Sequence, residues 1–296
     1  MIKTLLTTRG TWTQQLLGLM VLMISTSVMA QKSTTAVIAE RYFTAWQRNA
    51  PIPVLSSEEQ ALAPYTIQQE WVKLRRQKQA IAGFKAGLTS KQAQQKFRVD
   101  KALAGVLFQP GQVQPPWQIK RSDYRGLMIE TELGFSVNRT ITKPVESVDQ
   151  LKALVAKVYP VIELPDIGFA QMPVSGQDLI ASNLGSASFI KGPAFALDQL
   201  GVQDGLSDLN AIAVSLTYIQ PGQGDQLINQ GKASDALSDQ WRALLFLINH
   251  SLEQGYTISP DHLLITGAIG KMIPAKPGHY RANFGALNTL EFVILP

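Results

Sequence analysis

The stretch GLMIETELGF, residues 126–135, has the alternating pattern of a β-strand and carries two acidic side chains. Every second side chain of a strand points to the same face, so Glu130 and Glu132 share one face while the large apolar residues share the other. Like charges about 7 Å apart along a strand repel each other unless water or a cation lies between them. Two acidic side chains on one face of an otherwise apolar strand therefore require a compensating interaction.

The composition indicates a globular protein. The chain has 296 residues, of which 45% are hydrophobic and 17% are charged, which is not the composition of a disordered chain. It contains no cysteine, so disulfides, thiolate metal sites and a cysteine nucleophile are excluded. The net charge is a modest +5.

The N-terminus has the pattern of a secretory signal. Lys3 and Arg9 precede the apolar run LLGLMVLMISTSV, and Val28 and Ala30 provide the small residues of a cleavage site. We predict a signal peptide over residues 1–30 and a periplasmic mature protein. The alternative is an uncleaved membrane anchor, since about 20 apolar residues could span a bilayer.

Part of the positive charge lies in VKLRRQK, residues 72–78. At helical spacing, these lysines and arginines are typical of a solvated helix face. Aromatic residues are not interleaved with them as in a nucleic-acid site, so we predict no nucleic-acid partner.

The order of elements predicts an α+β protein. TAVIAERYFTAWQ and TIQQEWVKLRRQKQA have helical spacing and form a predicted N-terminal helical part, residues 31–80. Short strands interrupted by helices follow over residues 81–296, which form the second predicted part of the chain. Three further helices are predicted from SVDQLKALVAKV, VSGQDLIA and DALSDQWRALLFLINHSLEQG.

A third carboxylate stands out in VYPVIELPD, where Glu163 ends an apolar strand. A charge at the end of a buried strand is costly unless it is paired or bound to metal. Together with Glu130 and Glu132, it would favour Mg²⁺ or Mn²⁺ over Zn²⁺. The alternative is a solvated strand face with Glu163 paired to a lysine.

AGFKAGLTS places Lys85 on a predicted strand between Gly83 and Gly87. Because these flanking positions carry no side chains, a ligand could approach the lysine closely. A partly desolvated lysine near a divalent cation would have a lowered pKa and could move protons at neutral pH. The alternative is an exposed lysine on an edge strand.

SNLGSASFIKG places Asn183 and Ser186 in a small-residue turn before a strand, suited to binding a carboxylate or carbonyl group. The three histidines, His250, His262 and His279, are interpreted as surface residues. No nucleophile elbow, P-loop or dinucleotide fingerprint is present in the sequence.

Read in order, GFKAGLTSKQAQQKFRVD, IETELGF, VIELPD, SNLGSASFIKG and LLITGAIGKMIPAKPG…FGALNTLEFVI carry a family resemblance. From about residue 60 to the C-terminus, the chain resembles the 2-keto-4-pentenoate hydratase and 4-oxalocrotonate decarboxylase group of the fumarylacetoacetate hydrolase superfamily. The resemblance implies a fumarylacetoacetase-type fold with a β-rich, barrel-like core, and residues 81–296 would be its catalytic domain.

The resemblance also implies a site. Glu130, Glu132 and Glu163 would bind Mg²⁺ or Mn²⁺, and Lys85 would donate or remove protons. Four residues in matching motifs would line the substrate side: Asn183, Ser186, Thr266 and Gly267. The implied activity is that of a hydro-lyase on a 2-hydroxydienoic acid, working as a homo-oligomer in the catabolism of aromatic compounds.

Two positions depart from the family. Leu103 stands where relatives usually have an acidic residue, and Gly185 stands where a serine is common. The resemblance implies a cytoplasmic enzyme, whereas the N-terminal pattern of this chain predicts export. The alternatives are therefore a decarboxylase of 2-oxo diacids, a non-catalytic 2-oxo-acid binder and, with weaker support, a hydrolase of carbon–carbon bonds.

Overall fold

The strand that contains Glu130 and Glu132 lies inside a large mixed sheet, with helices against it. The computed structural model describes residues 33–197, 208–220, 222 and 224–296. The predicted signal peptide, residues 1–30, lies outside the described residues. Thr35–Pro296 form one compact unit.

Six α-helices lie within the described ranges. They are α1 Thr34–Gln47, α2 Pro64–Arg76, α3 Lys91–Phe97, α4 Val148–Leu154, α5 Gly176–Ala181 and α6 Gln240–Glu253. The two N-terminal helices precede all strands, as the sequence predicts. None of these helices is long and apolar enough to cross a membrane.

Thirteen strands occupy the same described ranges. They are β1 Ile81–Gly87, β2 Leu103–Phe108, β3 Gln118–Lys120, β4 Met128–Val137, β5 Val155–Leu164, β6 Ser188–Lys191, β7 Phe195–Ala196, β8 Ala213–Ile219, β9 Gln226–Lys232, β10 Leu263–Ile265, β11 Ile273–Pro274, β12 Gly278–Asn283 and β13 Thr289–Leu295.

The strands form two sheets. The larger sheet has the order β2-β1-β10-β4-β5-β6, with β11 paired to β4 and β7 to β5. The smaller one has the order β3-β13-β12-β8-β9. One face of the larger sheet packs into the main apolar core, to which Phe84, Leu133, Phe135 and Phe108 contribute. The opposite face carries Glu130 and its neighbours, because side chains alternate along each strand.

The helix predicted over residues 147–158 is shorter than its pattern suggests. Helix α4 ends at Leu154, and Val155 begins β5, where it pairs with Val137 of β4. The β-branched valines of this segment gain more from sheet pairing than from helix continuation. Ser147 caps α4 by accepting from the Gln150 N–H at 3.2 Å, but the Gln150 side chain accepts from the Glu146 N–H instead of closing a capping box.

Helix α6 begins five residues after the start of its predicted segment. Its N-cap is Asp239, which accepts from the Arg242 N–H at 2.9 Å. At the other end, Gly255 has a φ of 81°, the left-handed conformation expected after a helix terminus.

The basic face predicted on α2 is not wholly solvated. Arg75 is only 4% exposed, whereas its neighbour Arg76 is exposed. The interpretation of this stretch as a solvated face is therefore wrong at Arg75. The helix turns that side chain toward the rings of Trp46, Trp71 and Phe108.

Candidate metal centre

Three glutamates lie close together on the face of the larger sheet that is opposite the main apolar core. Glu130 and Glu132 come from β4, and Glu163 lies directly opposite Glu130 on β5. One carboxylate oxygen from each of the three lies within 4.8 Å of the others. Glu132 and Glu163 are 0% exposed, and Glu130 is partly buried. The third carboxylate thus joins the pair through antiparallel register.

The cluster has acceptor oxygens that no protein donor fills. Glu132 Oε1 and Glu163 Oε2 are buried without a hydrogen-bond partner, while Glu132 Oε2 accepts from the Gly267 N–H at 2.7 Å. A buried carboxylate oxygen without a partner is costly. Three clustered carboxylates, two of which have a buried oxygen without a partner, fit a hard divalent cation when no thiolate is present.

The electrostatics of the cluster agree with that fit. Burial, together with the charge of Glu163, raises the pKa of Glu130 to about 7. Burial and the charges of Glu163 and Glu130 raise the pKa of Glu132 well above its ordinary value. The protein's own groups therefore leave excess negative charge in this site, which a bound cation would offset.

Lys85 reaches the same cluster from β1. Its side chain is 3% exposed, and its Nζ donates to Glu163 Oε1 and to the Leu184 carbonyl at 3.2 Å. Burial acts to lower the pKa of Lys85, but the charges of Glu163, Glu130 and Glu132 outweigh burial and leave it raised. The alternative of an exposed edge lysine is wrong, since β1 lies between β2 and β10. Glu163 is paired to a lysine, as the other alternative required, but on a buried face.

The glycines beside Lys85 serve the packing of the protein. A Cβ at Gly83 would meet the Leu263 backbone, and one at Gly87 would meet the Leu184 side chain. The expectation that these positions open the lysine to a ligand is therefore wrong. Space for the lysine comes from Gly105 on β2, where a Cβ would lie 3.2 Å from Lys85 Cγ.

The turn at residues 183–186 is hydrogen-bonded to β2. The Asn183 amide group donates to the Val106 carbonyl at 2.8 Å and accepts from the Val106 N–H at 2.7 Å. Ser186 Oγ donates to the same carbonyl at 2.8 Å. These bonds place the Leu184 carbonyl against Lys85. Gly185 has a φ of 61° and no room for a Cβ, which explains why a serine does not stand there.

Thr266 and Gly267 lie at the end of β10, on the other side of the cluster. The Thr266 hydroxyl donates to Gln240 Oε1 at 2.6 Å, and both residues are 0% exposed. Gln240 in turn donates to the Ala233 carbonyl. Sequence reasoning missed Gln240, although a glutamine at the start of an apolar helix was a usable signal.

The histidines lie away from this arrangement in different settings. His250 is 5% exposed and packs between the rings of Tyr65 and Phe246. Its interpretation as a surface residue is wrong, because α6 turns it inward. His262 is partly buried, and His279 is exposed as predicted.

Comparisons with known proteins place this geometry in context. No family model matches the chain. A 2-keto-4-pentenoate hydratase from Burkholderia vietnamiensis is 24% identical over 233 residues, covering 78% of this chain and 85% of that protein. A 4-oxalocrotonate decarboxylase from a Pseudomonas species is 24% identical over 218 residues, covering 72% and 77%. The predicted resemblance to this group of enzymes is confirmed, at low identity.

Solved structures agree on the fold. The 4-oxalocrotonate decarboxylase from Pseudomonas putida, complexed with magnesium and adipate, superposes with a TM-score of 0.79 at 20% identity, covering 91% of this chain and 100% of that one. A protein described as a fumarylacetoacetate hydrolase family member from Yersinia pestis gives a TM-score of 0.54 at 12% identity, covering 73% and 94%. The fold is therefore α+β and of the fumarylacetoacetase type, as predicted.

Proposed function

We propose that the protein is a divalent-metal-dependent hydro-lyase that adds water to a 2-hydroxydienoic acid, in the manner of 2-keto-4-pentenoate hydratases. The observation that carries this proposal is the buried cluster of Glu130, Glu132 and Glu163, with Lys85 bonded to Glu163. The relatives support it, because 2-keto-4-pentenoate hydratases are among the matched enzymes and the alignments cover most of their length.

Glu130, Glu132 and Glu163 would hold Mg²⁺ or Mn²⁺. When bound, the ion would supply a Lewis acid that stabilises the negative charge developing on a 2-oxo acid. The Gly267 N–H keeps Glu132 oriented for this role.

Lys85 is the proposed acid and base. It is buried, points into the carboxylate cluster and donates to the Leu184 carbonyl, so its Nζ has a defined position. Moving a proton between the C2 oxygen and a substrate carbon requires such a positioned group. The substrate would lie beside Asn183, Ser186, Thr266 and Gly267, of which the first two hold the Leu184 turn in place.

A decarboxylase of 2-oxo diacids is the second candidate. The same metal and lysine would serve it, and decarboxylases are among the matched relatives. A binder without catalysis is the third, and Leu103 favours it because an acid that could position water is missing. A hydrolase of carbon–carbon bonds is weaker, since His250, the most buried histidine, contacts rings and Glu253 rather than the cluster.

The proposal includes export and assembly. The basic residues and apolar run of the N-terminal 30 residues support a periplasmic protein. We also propose a homo-oligomer, by analogy with the hydratase and decarboxylase family that the chain resembles. Both points can be examined on the purified protein by mass determination and by N-terminal sequencing.

The test uses two substrates with the full chain. The ultraviolet absorbance of 2-hydroxypenta-2,4-dienoate reports hydration, and release of CO₂ from 2-oxohex-3-enedioate reports decarboxylation. We expect Mg²⁺-dependent loss of the dienoate band that EDTA abolishes. Release of CO₂ alone would replace the hydratase with the decarboxylase, and metal binding without either reaction would favour the binder.

A further inference from the structure

Arg75 is a buried cation outside the glutamate cluster. Its guanidinium carbon lies 4.1 Å from the ring centre of Phe108, 4.6 Å from that of Trp46 and 5.3 Å from that of Trp71. Ring faces stabilise a guanidinium group by cation–π attraction but leave its N–H groups free to donate in the guanidinium plane. The aromatic setting therefore does not satisfy its hydrogen bonds.

The hydrogen bonding of Arg75 is incomplete. Its Nε donates to Gln79 Oε1 at 2.8 Å, while Nη1 is buried without a partner. Within the described residues, no carboxylate forms an ion pair with it. Burial lowers the pKa of Arg75 to about 9, and no acidic neighbour counteracts that effect. A buried cation without a counter-ion is unusual.

The side chain borders a cavity of about 440 Å³. Two acids also line it, but the Asp166 carboxylate accepts from three backbone N–H groups, those of Arg125, Gly126 and Gly168. The other, Asp123, is exposed to solvent. Neither acid neutralises Arg75.

A second unsatisfied donor borders the same cavity. The Tyr42 hydroxyl is buried without a hydrogen-bond partner, on helix α1. The cavity thus has a guanidinium group and a phenol, both with unused donors, and the rings of Trp46 and Trp71 in its wall. An anion with two acceptor oxygens and an apolar body matches these features.

The cavity lies on the opposite face of the sheet from the glutamate cluster. Lys85 pairs with Gly105 on β2, whereas Arg75 lies over Phe108, three residues further along that strand and therefore on the other face. On β6, Phe189 is opposite Glu163, while the adjacent Ser188 lines the cavity. A ligand here would not touch the proposed metal ligands.

We propose that this cavity is a second binding site, for a small organic carboxylate, with Arg75 as the charged donor and Tyr42 as the neutral one. This second site would exist whether or not the protein is a lyase, although Ser186, a proposed substrate-side residue, also borders it. It adjoins the turn whose Leu184 carbonyl accepts from Lys85, because Gly185 and Ser186 of that turn line the cavity.

The experiment titrates the full chain with benzoate in the presence of EDTA and follows tryptophan fluorescence, since Trp46 and Trp71 border the site. Benzamide, which has nearly the same shape without the charge, is the ligand control. We expect saturable binding of benzoate and none of benzamide. Arg75→Gln should weaken binding at least about tenfold, and Tyr42→Phe about threefold.

The matched protein control is Arg76→Gln, which removes an exposed cation one residue away on the same helix. It should leave the affinity unchanged, as should Glu132→Gln in the metal centre. Arg75→Lys retains the charge but not the planar donors. If both Tyr42→Phe and Arg75→Lys bound benzoate as tightly as the natural protein does, the proposal would be overturned. Loss of binding in Glu132→Gln, or the absence of saturable binding by benzoate, would also overturn it.

Discussion

Lys85 and Glu163 form a buried ion pair although their strands are not neighbours in the sheet. Strand β10 and strand β4 lie between β1 and β5. In a flat sheet, three strand spacings would separate their backbones by about 14 Å, more than the two side chains could easily bridge while both remain buried. The sheet must therefore curl around this pair, which makes its inner face a concave site.

Replacing Lys85 by Met is expected to remove turnover while metal binding remains. Loss of a positioned acid or base costs about 10²–10⁴-fold in rate. The measurement is kcat with 2-hydroxypenta-2,4-dienoate, together with calorimetric titration of Mn²⁺. Lys73→Met, on the exposed side of α2, is the control and should keep full activity. Retention of more than a tenth of kcat in Lys85→Met would refute the acid–base role.

Replacing Glu132 by Gln is expected to abolish stabilisation by metal. A ligand at 100 times its Kd stabilises the folded state by about 2.7 kcal/mol, which the natural protein should show as a higher Tm in Mg²⁺ than in EDTA. In EDTA the variant should be at least as stable as the natural protein, because burial penalises the ionised form of Glu132 and an amide cannot ionise. Equal Mg²⁺-induced shifts in both proteins would exclude Glu132 as a ligand.

The raised pKa values of the cluster predict that stability in EDTA falls with rising pH, whereas metal affinity increases. The folded-state pKa of Glu130, about 7, exceeds its value of about 4.5 in the unfolded chain, so between these values the folded protein holds a proton that the unfolded chain has lost. In EDTA, stability should therefore fall as the pH rises from about 4.5 to 7.

Metal affinity should rise over the same range, since the ligands must lose their protons before they bind. Urea unfolding in EDTA and calorimetric titration of Mg²⁺ in buffers of different ionisation enthalpy measure the two effects. A Glu130→Gln variant should show a weaker pH dependence of stability. Metal binding without proton release at pH 6 would contradict the raised pKa values.

Gly267→Ala is expected to damage both stability and metal affinity. Gly267 has a φ of 108°, a Cβ there would meet the Thr89 side chain, and its N–H donates to Glu132. The strain and the clash should cost about 1–3 kcal/mol of unfolding free energy. Gly255→Ala is the control, because its φ is 81° but a Cβ there meets nothing within 4 Å. It should lose less stability and keep its Mg²⁺ affinity; equal metal affinity in the two variants would contradict the role of the Gly267 N–H.

The sequence was informative where local periodicity alone determines the direction of a side chain. Alternation placed Glu130 and Glu132 on one face of a strand, and apolar residues before Glu163 marked a buried carboxylate, so the glutamate cluster could be predicted in outline. Element boundaries were less predictable: α4 gives way to β5 at Val155 because pairing with β4 competes with the local helical pattern.

The amino-acid sequence by itself determined the α+β class, the strand that carries the acidic pair and the residue types available for metal and proton chemistry. Only the tertiary structure decided that Lys85 is buried against Glu163, that Asn183 fastens a turn to β2, and that Arg75 and Tyr42 meet at one cavity. Local periodicity reports which face of an element is apolar. It does not report how a sheet curls or which distant side chain fills the space beside a charge, because those depend on long-range packing.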